Sequence, residues 1–62
     1  MNEGTVLLPT SYIADYCDVT ERTVCGWIRN GDLPAVRLGG QYRIRPEDFE
    51  AFLDEREVGR YR

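Results

Sequence analysis

The 62 residues predict a small, mainly helical domain of three helices and a two-stranded β-hairpin. Three observations predict it. Apolar residues recur at helical spacing through Glu21–Asn30 and again through Phe49–Arg56, two short segments alternate in period two on either side of Gly39-Gly40, and the length admits one core. A chain of this size withdraws roughly 60% of its unfolded surface from water, so its function is expected on an outer surface. The whole chain, 1–62, is read as one domain with an ordered core over about 6–56.

The elements follow in chain order. Pro9-Thr10-Ser11 signals a helix start, with the hydroxyl of Thr10 or Ser11 as the expected cap, and the first helix is expected over about 11–17. Ile13, Ala14, Tyr16 and Cys17 supply its apolar side. Asp18 tolerates the left-handed conformation needed to leave a helix. Thr20 is the next cap candidate, before Val24, Trp27 and Ile28 at i, i+3 and i+4, and Gly31 closes that second helix.

Ala35-Val36-Arg37-Leu38 and Gln41-Tyr42-Arg43-Ile44 read as the hairpin strands. Placing Val36, Leu38, Tyr42 and Ile44 on one face requires a three-residue loop, Gly39-Gly40-Gln41, which sets Leu38 opposite Tyr42 and Arg37 opposite Arg43. Two arginines so opposed repel one another unless an anion lies over them. Pro46 then suits the first turn of a third helix, Glu47 and Asp48 suit its positive end, and Phe49, Phe52, Leu53 and Arg56 form its stripe. The stretch from Glu57 to Arg62 has no periodicity and is expected to fray.

Charge is unevenly distributed. The net charge is −3, with every base an arginine and no lysine or histidine. Residues 20–45 carry five arginines against Glu21 and Asp32, a net of +3, while the segments before and after are each −3. A uniformly basic nucleic-acid binder is excluded; a local arginine patch is not. Arginine is the cation suited to bidentate contacts with phosphate and guanine.

Enzymatic function is not expected. No histidine or lysine stands ready to activate Cys17, Cys25 or a serine, and the adjacent carboxylates Glu47 and Asp48 do not face one another on a helix. Two cysteines without histidine do not complete a metal site, so reduced thiols, no metal and no cofactor are expected. The acidic start and the short apolar run Val6–Leu8 resemble neither a signal peptide nor a membrane span, and a cytoplasmic location follows.

Ala14, Asp18 and Val24 stand at relative positions 1, 5 and 11, the small residue, turn former and β-branched core residue of a helix-turn-helix. Short helical hairpins that bind nothing share that spacing. The run from Leu8 to Leu53 adds Thr20-Glu21-Arg22-Thr23-Val24, Trp27-Ile28-Arg29, Gly31-Asp32-Leu33-Pro34-Ala35-Val36-Arg37-Leu38-Gly39-Gly40, Tyr42-Arg43-Ile44 and Asp48-Phe49-Glu50-Ala51-Phe52-Leu53. With these, the chain resembles the excisionase family of small DNA-binding domains, which is related to the MerR-type winged helix-turn-helix.

The resemblance implies a mainly α fold with a β-hairpin wing, its second helix in the major groove and its wing along the phosphates or in the minor groove. It places DNA contacts at Thr20, Arg22, Thr23, Gly26 and Arg29 on the helix and at Arg37, Gln41, Arg43 and Arg45 on or beside the wing. Three positions depart from the family pattern. Asp18 replaces the usual turn glycine, and Cys25 and Gly26 stand where relatives are often basic. Glu21 is expected to hold Arg22 rather than to accept from a cytosine amino group, and Trp27 to serve core or wing support. Arg60-Tyr61-Arg62 is expected to be a disordered end.

The function implied is that of a phage or prophage excisionase in a bacterial host. It would assemble cooperatively, head to tail, on repeated sites, bend double-stranded DNA and direct an integrase toward excision. A chain read as lacking any effector or dimerisation domain favours this over a small MerR-like or BldC-like transcriptional regulator, which fits the same fold. A protein-interaction module such as an antirepressor is the third reading, and the four arginines Arg22, Arg29, Arg37 and Arg43 on one inferred side argue against it.

Overall fold

The computed structural model describes residues 6–58. The elements are β1 (Leu8–Pro9), α1 (Thr10–Cys17), α2 (Glu21–Arg29), β2 (Val36–Leu38), β3 (Gln41–Ile44) and α3 (Pro46–Arg56). This is the expected layout of three helices and a hairpin, a winged helix-turn-helix. The two-residue strand β1 adds to it, pairing antiparallel with β3 through Leu8 opposite Ile44 and Pro9 opposite Arg43, so the sheet order is β1-β3-β2. The expectations for Arg60-Tyr61-Arg62 lie outside the described residues.

Local chemistry explains the helix ends. α1 begins after Pro9, and neither Thr10 nor Ser11 caps it; the Thr10 hydroxyl turns away to Glu21. Asp18 leaves α1 at φ 59°, ψ 47°, which lets the N–H of Val19 reach the Ala14 carbonyl at 2.9 Å. Thr20 caps α2, its Oγ1 accepting from the Thr23 N–H at 3.2 Å. At the far end Gly31 takes φ 85°, and the N–H of Asp32 returns to the Trp27 carbonyl at 2.9 Å. α3 starts with Pro46 in its first turn and Glu47 and Asp48 at its positive end.

The core consists of Ile13, Ala14, Val24, Leu33, Ile44, Phe49 and Phe52, all apolar and all buried. Trp27 joins it from α2, its ring centroid 4.8 Å from that of Phe52. Arg56 closes the end of α3 with its guanidinium carbon 3.8 Å from the Phe52 ring centroid and Nη2 3.9 Å from Asp32 Oδ2. Tyr16 departs from expectation. It is 62% exposed rather than on the apolar side, and meets the core through an edge contact with Phe49, centroids 5.2 Å apart.

The hairpin register also departs from expectation. The loop is the two residues Gly39-Gly40, and the pairs are Leu38 with Gln41, Arg37 with Tyr42 and Val36 with Arg43. Both glycines have positive φ, 57° and 84°, the geometry of a tight hairpin turn whose twist matches that of the strands. Alternation loses to the turn because β2 has little core to face: Leu38 is 51% exposed. Arg37 and Arg43 therefore point to opposite faces, and their expected repulsion does not arise. Arg37 instead lies over the Tyr42 ring, 5.3 Å from its centroid.

Cys17 and Cys25 are both half-buried free thiols. Burial pushes the Cys17 thiol above its ordinary value of 9.0. The folded thiol then keeps its proton where the unfolded one has lost it, so this contribution to stability is complete at neutral pH and declines above the unfolded value. The thermal midpoint is expected to fall between about pH 8 and about pH 10, and to fall less in Cys17→Ala. Equal falls in the two proteins would show that Cys17 carries no linkage.

Candidate nucleic-acid interface

An open cleft separates the start of α2 from the wing. It is lined by Pro9, Thr10 and Ser11 at the start of α1, by Glu21 and Cys25 of α2, and by Gly40, Gln41, Tyr42 and Arg43 of the hairpin. Thr10, Ser11 and Glu21 become neighbours of the wing through contacts remote in sequence, which leave no local signal.

On α2, Arg22 and Arg29 are exposed and lie two helical turns apart, on one side of the helix. Neither makes an ion pair or side-chain hydrogen bond among the described residues. Arg22 is not held by Glu21, contrary to expectation: Glu21 Oε1 accepts from Thr10 Oγ1 at 3.0 Å. Thr23 is exposed one residue further on, its hydroxyl 3.1 Å from that of Thr20, so both threonines are partly engaged in the cap. A Cβ built on Gly26 would meet no atom within 4 Å, so the backbone there is open to approach.

The wing residues divide between two faces. Gln41 and Arg43 share one face and line the cleft; Arg43 donates to Gln41 Oε1 and to the Tyr42 carbonyl, both at 2.9 Å. Those bonds fix the guanidinium along the strand. Arg37 lies on the other face, its Nη2 donating to the Tyr42 hydroxyl at 3.4 Å. Arg45 stands between β3 and α3 with Nη1 3.9 Å from Asp48 Oδ2, an exposed pair of small energetic weight. The nine expected contact residues thus comprise two arginines on the helix without an ion pair among the described residues, the cap threonines Thr20 and Thr23 and the open Gly26 on or beside the same helix, a cleft pair on the wing, and Arg37 and Arg45 set apart from these.

A family profile described as a helix-turn-helix domain matches residues 7–57. The chain belongs to that helix-turn-helix family. No curated protein and no solved structure matches it. A helix-turn-helix domain is a DNA-binding module in which the second helix carries base contacts and the first crosses the backbone. The two helices of the motif correspond in chain order to α1 and α2, joined through Asp18, Val19 and Thr20. No helix among the described residues is long and apolar enough to cross a membrane.

Proposed function

We propose that this domain binds specific duplex DNA with α2 in the major groove and the hairpin against the flanking backbone, and that it acts as a phage or prophage excisionase. The observation that carries the reading is the pair of arginines Arg22 and Arg29 on one side of α2, neither of which is ion-paired among the described residues. Arginines held by intramolecular carboxylates would have to be released before binding; these two do not. Thr23 adds a base contact beside the two arginines, Thr20, Arg37, Gln41, Arg43 and Arg45 position the domain on the backbone, and Gly26 lets the helix approach closely.

Two arginines and a threonine read little sequence, so discrimination comes from several copies on adjacent repeats, each raising the effective concentration of the next. A head-to-tail contact is favoured by charge and shape. The wing of one copy offers exposed Leu38 on one face and Arg37 on the other, while α1 and α3 of another offer exposed Tyr12 and Tyr16 beside Asp15 and Glu50. Such a contact does not close on itself and extends along the duplex. The array bends the DNA and presents it to an integrase in the geometry for excision.

Band-shift titration tests this on duplexes carrying one repeat or three. Cooperative, stepwise shifts on three repeats and a monomer in free solution are expected. Equal affinity per repeat, or a stable two-fold dimer without DNA, favours a MerR-like transcriptional regulator instead. If four or five arginines each neutralise one phosphate, log affinity falls with log salt at a slope of about −4 despite the negative net charge. A salt-independent complex would count against phosphate contacts altogether.

A further inference from the structure

We infer that Glu21 is a base-reading residue, selecting a cytosine at one position of the bound site, an inference that rests on α2 being the helix in the major groove. Glu21 opens α2, is exposed, and stands at the cleft opposite Gln41 and Arg43. Its carboxylate is set in place from outside the helix by the Thr10 hydroxyl, at 3.0 Å from Oε1. No arginine among the described residues neutralises it, although Arg22 is its immediate neighbour. One hydroxyl bond leaves most of the acceptor capacity of a carboxylate unused.

Against DNA such a group has few acceptable partners. Phosphates repel it, and the guanine O6 and N7 and the thymine O4 are acceptors like itself. The only donors on the major-groove edges are the exocyclic amino groups of cytosine and adenine. The adenine amino group lies between two acceptors, its own N7 and the O4 of the paired thymine, whereas the cytosine amino group has the guanine O6 on one side and only the C5–H of its own ring on the other, the side from which a carboxylate can approach. A desolvated carboxylate left without a donor is costly, so Glu21 acts chiefly by rejecting sites. Its effect is opposite in kind to that of an arginine: it weakens binding to arbitrary duplexes and sharpens the choice among them. Thr10 is a positioning residue, because it limits where the carboxylate can go.

Selection from a random duplex library, carried out with the unchanged protein and with Glu21→Ala, Glu21→Gln and Thr10→Val, tests the assignment. The unchanged protein is expected to enrich a consensus with one cytosine that Glu21→Ala no longer selects, the rest of the consensus being kept. The preference for that cytosine should fall at least about fivefold, and affinity for random duplex should rise. Glu21→Gln keeps an acceptor for Thr10, removes the charge and adds a donor, so it should shift the same position toward adenine. Thr10→Val should weaken the cytosine preference to a smaller degree, a readout that a purely structural tie between α1 and α2 would not move. A consensus reproduced at every position by Glu21→Ala overturns the inference and leaves the recognition-helix reading standing. No consensus from the unchanged protein overturns that reading and this inference with it.

Discussion

Replacing Leu33 by alanine is expected to unfold the domain near physiological temperature. Leu33 is fully buried, its N–H bonds the Trp27 carbonyl at 3.2 Å as the chain leaves α2, and its side chain meets the core cluster that Ile13, Val24 and Ile44 form from three other elements. Truncating such a leucine costs about 2–5 kcal/mol, because the lost transfer energy adds to that of the cavity. At about 0.05–0.15 kcal/mol per residue, a chain of this length holds only about 3–9 kcal/mol in all. Leu38→Ala removes the same atoms from a half-exposed site on the wing and should stay within about 0.5 kcal/mol. Melts followed by circular dichroism compare the two; a Leu33→Ala protein as stable as Leu38→Ala would mean that the centre of the core lies elsewhere.

The second large effect is on binding. Arg22→Ala or Arg29→Ala should cost about 1–3 kcal/mol on the cognate site and relax the base preference, since each arginine is free to meet a base edge. Arg37→Ala and Arg43→Ala should weaken all sequences alike, because contacts to the backbone carry no sequence information. The loss should be smaller for Arg37, which has the Tyr42 ring to leave, than for an arginine without a partner. Titration of each variant against cognate and scrambled duplexes separates the two classes. Loss of specificity from wing variants alone would reverse the assignment of the grooves.

The helices were legible because their signals are local. Thr20 as cap, Asp18 and Gly31 as left-handed exits, and Pro46 at the start of α3 each act within a turn of the residue that carries them. The hairpin was legible as a hairpin but not in its register. There, two competing local rules had to be weighed, and the twin glycines outweigh an alternation that presupposes a buried face. β1 left no signal, since two residues ending in proline are too few for a period, and its partner Ile44 lies far along the chain. The same distance hid the bond between Thr10 and Glu21. The arginines of the candidate site could be placed by spacing, but which of them stand free depends on the hairpin register that sets Arg37 over Tyr42 and on the turn that brings Arg45 to Asp48.

The sheet order has a consequence for colloidal behaviour. With β3 in the centre, the two outer strands are β1, two residues ending in a proline that has no N–H to offer, and β2, three residues with Arg37 at its middle. Neither presents a long enough row of free backbone groups to template another strand, and the arginine opposes stacking of like edges. A concentrated preparation of the folded domain is therefore protected against sheet-to-sheet polymerisation.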